Sequence, residues 1–274
     1  MEIITLIENE AGKSCNLNNE FGLSLYIKDE DIELIFDTGK TGEFAANADK
    51  LGIDLKNIRH VVLSHSHFDH TGGMKTLIEK YNKTFTLHIN KTFFEEKYRI
   101  TESNQEFLGN NFGEKYILDK GIDIDYIKNN QIKLSKNITL FTNFKQLTDF
   151  ETPVPYYFRK IGNDYILDNM EDEIVIGAET SKGLVIICGC SHIGIVNIIE
   201  NIKKQTNKKI YGIIGGLHLT KASDKRIAKV MEYFDKSEIK FFGVSHCTGE
   251  KAVNILKTSG KDFIENNTGN KIIF

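Results

Sequence analysis

The feature that most constrains this chain is a six-residue run dominated by metal-binding side chains. It comes directly after a short apolar run and directly before Thr71-Gly72-Gly73, and it reads His65-Ser66-His67-Phe68-Asp69-His70. His65 and His67 are two positions apart, so on an extended strand end both imidazoles face the same side, and the following turn can bring Asp69 and His70 back towards them. Imidazole and carboxylate groups suit zinc and also iron or manganese. One segment can therefore serve two metal ions.

Three further histidines each follow an apolar, strand-like run and precede a helical pattern. They stand in Cys188-Gly189-Cys190-Ser191-His192, in Gly215-Gly216-Leu217-His218 and in Val244-Ser245-His246. A single histidine at a strand end is usually structural, but sites in layered α/β folds assemble at the C-terminal ends of strands. The recurrence therefore favours a shared site.

Asp37 ends an earlier strand-like run, in Phe36-Asp37-Thr38-Gly39. A carboxylate there can accept hydrogen bonds from histidine N–H groups and fix which ring nitrogen binds a metal. A turn or helix-capping aspartate is the alternative interpretation. His60 and His88 show no partner pattern, and we interpret them as structural.

Short apolar runs and amphipathic segments predict an α/β architecture. The chain begins with an antiparallel meander and then alternates strands and helices. The predicted strands are Glu2 to Ile7, Gly22 to Ile27, Ile32 to Phe36, His60 to Leu63, Leu184 to Ile187, Ile210 to Ile214 and Phe241 to Val244. The predicted helices are Thr41 to Leu51, a stretch ending at Lys80, Gly194 to Lys203, Asp224 to Phe234 and Glu250 to Thr258.

The middle of the chain, about residues 88–168, lacks sustained periodicity and is rich in aromatic residues. Structureless loops of that length are rare in compact domains, so we expect an insertion with short elements of its own. A structural subdomain and a lid that shapes a substrate site are both open. We expect the chain to form one domain over residues 1–274, with this insertion inside it.

Charge and composition limit the partners. The net charge is −3 and basic residues form only short pairs, so nucleic acid is not expected. The apolar stretches are too short for a membrane span, the N-terminus lacks a basic leader, and four scattered cysteines do not form a disulfide scaffold. We expect a cytoplasmic protein with a small-molecule substrate, and the sequence leaves open a phosphorylated substrate and a homo-oligomer.

The motifs resemble those of the metallo-β-lactamase superfamily. The resemblance rests on the His65 to His70 run with Thr71-Gly72-Gly73, on Phe36-Asp37-Thr38-Gly39 upstream, and on the single histidines downstream. Gly189-Cys190-Ser191-His192, Ile214-Gly215-Gly216-Leu217-His218-Leu219 and His246-Cys247-Thr248-Gly249 are similar to those of the branch named after a dihydropterin-ribofuranosylaminobenzene-phosphate synthase. The resemblance implies a four-layer αββα sandwich.

The resemblance also implies a dinuclear centre of two divalent ions, zinc first and manganese or iron as alternatives. By motif position, one ion would take His65, His67 and His192, and the other would take Asp69, His70 and His246. Asp37 matches a supporting aspartate. Most hydrolases of the superfamily have a bridging aspartate where this chain has His218, so His218 is expected to be either a terminal ligand or a substrate-facing acid or base.

Four functions follow as hypotheses. The first is hydrolysis of a small ester or phosphoester by a metal-bridging hydroxide, with Asp69 and His218 as catalytic residues. The second is a transferase that joins a dihydropterin methyl diphosphate to a ribofuranosylaminobenzene phosphate, with Arg99 and Arg159 as candidate phosphate contacts or as plain surface residues. A di-iron oxidoreductase and a non-catalytic docking protein are the remaining alternatives.

Overall fold

The structure is a computed structural model that describes residues 1–13, 16–81 and 83–274. The described chain divides into two compact units, each treated by itself below. Unit 1 contains Met1–Lys128, Pro153–Asp172 and Asn267–Ile273, and unit 2 contains Asn129–Thr152, Glu173–Asn266 and Phe274. The single-domain organisation expected from the sequence stays a prediction.

The strands are numbered along the chain. They are β1 Glu2–Ile7, β2 Ser24–Asp29, β3 Ile32–Phe36, β4 His60–Val62, β5 Thr86–Asn90, β6 Glu96–Ile100, β7 Gln105–Phe107, β8 Asp123–Ile127, β9 Gln131–Lys133, β10 Ile138–Phe141, β11 Tyr157–Ile161, β12 Asp164–Leu167, β13 Val175–Thr180, β14 Gly183–Cys188, β15 Ile210–Gly215, β16 Phe241–Val244, β17 Asp262–Glu265 and β18 Lys271–Ile273.

The helices are numbered in the same way. They are α1 Glu43–Lys50, α2 Phe68–Thr71, α3 Met74–Thr76, α4 Glu114–Asp119, α5 Ile195–Thr206, α6 Asp224–Lys236 and α7 Glu250–Lys257. Short 3₁₀ turns cover Leu55–Asn57 and His246–Thr248, and a π-helical turn covers Leu77–Tyr81. The helix predicted to run to Lys80 is therefore interrupted into shorter pieces.

Unit 1 is built on a seven-stranded sheet of order β18-β1-β2-β3-β4-β5-β8. The predicted antiparallel meander is confirmed for β1, β2 and β3, and β3, β4, β5 and β8 are parallel neighbours. Alternate strand residues such as Ile35, Val61 and Leu87 pack in one cluster with Phe44 of α1. Full burial of each such side chain stabilises the unit by about 1.5–3 kcal/mol. This packing fixes the strand end from which His65 to His70 emerge.

A second, four-stranded antiparallel sheet of order β12-β11-β6-β7 also belongs to unit 1. It is drawn from the interval 88–168 that was expected to be an insertion. Other strands of that interval pair elsewhere, because β8 joins the large sheet of unit 1 and β9 and β10 join the sheet of unit 2. The separate piece is thus smaller than the predicted interval, and we call it the small sheet.

Unit 2 is built on a seven-stranded sheet of order β17-β16-β15-β14-β13-β10-β9. The strands β14, β15, β16 and β17 run parallel, with α5, α6 and α7 between them, as the alternating pattern predicted. Strand β15 is buried along its whole length, as is typical of parallel strands covered on both faces. The α/β class is confirmed. In the part of the chain that the structure describes, no helix is long and apolar enough to cross a membrane.

Candidate metal centre

In unit 1 the run His65 to His70 leaves the end of β4, in the middle of the parallel part of the large sheet. All four predicted ligand side chains of this run are buried. The ring centroids of His65 and His67 are 4.6 Å apart, and those of His65 and His70 are 4.3 Å apart. The structure therefore brings the predicted histidines of this segment together, as the spacing and the turn of α2 indicated.

Asp37 fixes the orientation of two of these rings. Its Oδ2 lies 2.6 Å from Nδ1 of His70, and the same oxygen accepts the Ser64 hydroxyl at 2.7 Å. The Ser64 hydroxyl oxygen lies 2.8 Å from Nδ1 of His65. A carboxylate only accepts, so Nδ1 of His70 carries its proton, and the Ser64 hydroxyl, which donates to Asp37, accepts from Nδ1 of His65. Both rings thereby present Nε2 as the nitrogen with the lone pair.

The donor set and its spacing fit a divalent transition metal. A metal-binding histidine typically donates its other ring N–H to a carboxylate or similar acceptor, which is the arrangement at His70. An oxygen of Asp69 lies 3.6 Å from Nε2 of His70. Two ligand atoms each about 2.1 Å from one tetrahedral ion lie about 3.4 Å apart. Burial also lowers the pKa of His67, which keeps that imidazole neutral and able to bind an ion at pH 7.

Two glycines let the segment His65 to His70, called the ligand run below because its side chains are the predicted ligands, pack against the loop that carries Asp37. A Cβ on Gly72 would lie 1.9 Å from the carbonyl oxygen of Lys40, and one on Gly73 would lie 2.2 Å from that of Thr38. The amide of Thr38 donates to the carbonyl of His70 at 2.7 Å. Asp37 itself has a left-handed backbone, with φ of 61°, which is uncommon outside glycine and concentrated at functional sites.

A buried ion cluster behind the ligand run was missed from the sequence. Nζ of Lys97 lies 2.8 Å from Oδ2 of Asp168 and 3.0 Å from Oδ1 of Asp172. Burial alone would lower the pKa of Lys97, but the facing carboxylates outweigh it and raise the pKa. Burial likewise opposes ionisation of Asp172, yet the Lys97 charge holds the pKa of Asp172 below its usual range. Oδ2 of Asp172 accepts the amide of Ser66 at 2.9 Å.

The two candidate phosphate contacts of unit 1 are both engaged by carboxylates. Arg159 lies 2.9 Å from Glu95 and 3.2 Å from Glu171, and Arg99 is paired with Glu106. A phosphate group at either arginine would have to displace these carboxylates. The structure thus places both residues on the small sheet, each already in an ion pair.

In unit 2 the other three predicted histidines follow β14, β15 and β16. These strands are parallel and in register at their ends, so the loops that follow them lie at one edge of the sheet. The ring centroids of His192 and His218 are 4.1 Å apart. His218 and His246 have left-handed backbones, with φ of 51° and 54°. The recurring pattern of a strand followed by a histidine thus corresponds to one sheet edge, as predicted.

Glu173 holds the loop that carries His192, and no sequence motif marked this residue. One carboxylate oxygen of this buried residue accepts the amide of His192 at 2.7 Å, and the other accepts that of Ile193 at 2.9 Å. The neighbouring loops are also joined, because Ser191 donates to the carbonyl of Gly216 at 2.7 Å. Hydrogen bonds therefore join the loops of unit 2 that carry His192 and follow β15.

Of the cysteines of unit 2, Cys188 is the last residue of β14, while Cys190 and Cys247 lie after strand ends. Sγ of Cys247 is 3.5 Å from the carbonyl oxygen of Cys190, so Cys247 packs against the loop that follows β14. Among the described residues Cys188, Cys190 and Cys247 form no disulfide. Cys15 lies outside the described residues.

His60 and His88 of unit 1, for which the sequence showed no partner pattern, contact each other and Asp125. Nδ1 of His60 lies 3.0 Å from Nε2 of His88, and Nδ1 of His88 lies 3.0 Å from Asp125. The three residues come from the neighbouring strands β4, β5 and β8, so no local pattern could reveal the chain of contacts. It lies outside the ligand run.

Comparisons with known proteins agree with this geometry. The family model of the metallo-beta-lactamase superfamily matches residues 17–127. The chain is 32% identical to the 7,8-dihydropterin-6-methyl-4-(beta-D-ribofuranosyl)-aminobenzene-5'-phosphate synthase of Methanocaldococcus jannaschii, over 100% of this chain and 96% of that protein.

Solved structures show the same fold. A metal-dependent hydrolase of the beta-lactamase superfamily matches with a TM-score of 0.86 and 28% identity, covering 100% of this chain and 99% of that one. The metallo-beta-lactamase fold protein YhfI of Bacillus subtilis matches with a TM-score of 0.59 and 10% identity over 99% of both chains, which bears on the fold alone. The predicted αββα fold class is confirmed. The chain therefore belongs to the metallo-beta-lactamase superfamily, in the branch that contains the Methanocaldococcus synthase.

Proposed function

We propose that the protein is a metal-dependent hydrolase that cleaves a small ester or phosphoester with two divalent ions, and that zinc is the preferred metal. The observation that carries this proposal is the fixed orientation of the rings of His65 and His70, whose Nδ1 atoms are engaged by Ser64 and Asp37. Side chains that are oriented in advance through their other ring nitrogen are typical of metal ligands.

When bound, two divalent ions lower the pKa of water towards 7 and stabilise negative charge on substrate oxygens. The ligand assignment stays as the resemblance implies. His65, His67 and His192 would hold one ion, while Asp69, His70 and His246 would hold the other. Asp37 would support His70, and the Ser64 hydroxyl would support His65.

The role of His218 distinguishes this chain from most hydrolases of the superfamily. Its side chain is half-buried, whereas that of His192 is buried, so His218 keeps some access to solvent. An imidazole binds one metal per nitrogen and cannot bridge two ions as a carboxylate does. We assign His218 to proton donation to the leaving group or to charge stabilisation at the substrate.

The test compares the zinc-loaded protein with its His67→Ala variant on generic phosphodiesters and carboxyl esters. We expect turnover by the wild type, at least a hundredfold loss in His67→Ala, and little change in His60→Gln, a histidine variant of the same unit outside the ligand run. Equal activity in wild type and His67→Ala, or none in either, would count against the proposal.

A transferase is the second candidate, and the 32% identity to the Methanocaldococcus synthase favours it. In that reaction the ions would bind a leaving diphosphate, and Arg99 and Arg159 would exchange a carboxylate partner for a substrate phosphate. Mixing a dihydropterin methyl diphosphate with the arylamine should then release diphosphate. No turnover of these intact substrates would dismiss the transferase.

A further inference from the structure

Lys97 is 1% exposed, and a buried lysine requires an explanation because removing its charge from water is costly. We propose that Lys97, Asp168 and Asp172 form a positioning cluster that sets the backbone on which His67 stands. This inference rests on the proposed metal-dependent function, because His67 is one of the proposed ligands.

The first contact is through the amide that precedes His67. The carboxylate of Asp172 spans two donors, with Oδ1 3.0 Å from Nζ of Lys97 and Oδ2 accepting the amide of Ser66 at 2.9 Å. Nζ of Lys97 also lies 2.8 Å from Oδ2 of Asp168. The lysine thus faces two buried carboxylates, and one of them holds the ligand run.

The second contact is through the amide that follows His67. The amide of Phe68 donates to the carbonyl of Leu108 at 2.9 Å, and the amide of Leu108 donates to the carbonyl of Lys97 at 2.8 Å. The amides on both sides of His67 are therefore hydrogen-bonded. One is connected to the side chain of Lys97 through Asp172, and the other to the backbone of Lys97 on β6 through Leu108.

The small sheet also contacts the ring of His67. The ring of Tyr157 on β11 lies edge-on to that of His67 at 5.7 Å. Register places Lys97 opposite Arg159 and Arg99 opposite Tyr157, so Lys97 and Tyr157 share one face of the small sheet. That face sets both the backbone and the ring of one proposed ligand, which gives the small sheet a positioning role.

The decisive variant is Asp172→Asn, which keeps the size of the side chain. An amide offers one oxygen, but both Nζ of Lys97 and the amide of Ser66 need an acceptor, so one of them loses its partner. Lys97→Met removes the cation and Lys97→Arg keeps it. Lys160→Met is the matched control, because Lys160 pairs with Glu96 on the opposite face of the same sheet.

Two measurements are made on each variant. Zinc affinity is measured by competition with a chromogenic chelator, and hydrogen exchange of the Ser66 amide is measured in the metal-free protein. We expect Asp172→Asn to bind zinc about 10–100-fold more weakly and to exchange the Ser66 proton at least tenfold faster. Lys97→Met should follow it, Lys97→Arg should recover most of the affinity, and Lys160→Met should match wild type.

Wild-type zinc affinity together with unchanged Ser66 protection in Asp172→Asn would overturn the inference. If Lys97→Met does not fold, Asp172→Asn decides alone. If the wild type binds no zinc, the proposed function fails, and the Ser66 exchange rate in Asp172→Asn still decides whether the cluster positions the loop.

Discussion

Replacing Asp37 with asparagine should move a proton within the ligand run. Asp37 accepts three hydrogen bonds, from the Ser64 amide at 2.7 Å, from the Ser64 hydroxyl at 2.7 Å and from Nδ1 of His70 at 2.6 Å. Asparagine keeps one acceptor oxygen and adds an NH₂ donor. With its oxygen on the Ser64 amide, the new NH₂ faces Nδ1 of His70.

An NH₂ group facing Nδ1 favours the other form of the His70 ring, in which Nδ1 accepts and the proton sits on Nε2. That proton occupies the lone pair proposed to bind the ion. A hydrogen bond to a charged group contributes about 1.5–3 kcal/mol, and supporting residues of this kind typically change metal affinity 10–100-fold. We expect a loss in that range, which corresponds to about 1.4–2.7 kcal/mol of binding free energy.

Zinc affinity by chelator competition and nitrogen NMR of the His70 ring in the metal-free protein check this together. Asp37→Asn should weaken zinc binding and show the proton on Nε2, whereas Asp31→Asn, at an exposed position, should change neither. Wild-type affinity with the proton still on Nδ1 would refute the reasoning.

Three further outcomes are expected. Gly72→Ala should destabilise the protein by at least about 3 kcal/mol in urea unfolding, because the new methyl group meets the Lys40 carbonyl, while Gly113→Ala, which meets nothing within 4 Å, should cost less than about 1 kcal/mol; equal costs would contradict the packing argument. Burial lowers the pKa of His88, so the unfolded chain takes up its proton first as the pH falls. Stability of the metal-free protein should therefore fall below about pH 6.5, with a contribution of up to about 1.4 kcal/mol per pH unit from this group, and His88→Gln should make the slope shallower while the contribution of His67 stays; an unchanged slope would show that His88 does not contribute. Glu173→Gln should weaken zinc binding about tenfold, because glutamine keeps one acceptor oxygen and one of the two backbone amides therefore loses its acceptor; wild-type zinc affinity of this variant in a calorimetric titration would contradict this.

The sequence predicted the features that depend on local spacing. The rings of His65 and His67 lie together as predicted, at 4.6 Å, although β4 already ends at Val62. The strand ends before His192, His218 and His246 meet at one edge because parallel strands share their direction. The alternation of β14, α5, β15, α6, β16 and α7 in unit 2 followed from the apolar periodicity of the sequence.

The features that the sequence did not predict depend on contacts between distant positions. Lys97 and Asp172 are 75 residues apart, and neither stands in a pattern that marks it as buried. A lysine is expected at the surface, and only the fold shows that two carboxylates lie beside this one and allow its burial. Pairing between distant positions likewise decides which strands of the interval 88–168 join the larger sheets, so the sequence could not show it.

The most direct test of the proposed dinuclear centre is anomalous diffraction at the zinc edge from crystals of the zinc-loaded protein. We predict two peaks, with Nε2 of His65 and of His70 within about 2.0–2.2 Å of an ion. Peaks that lie only elsewhere, or no peak within bonding distance of these rings, would contradict it.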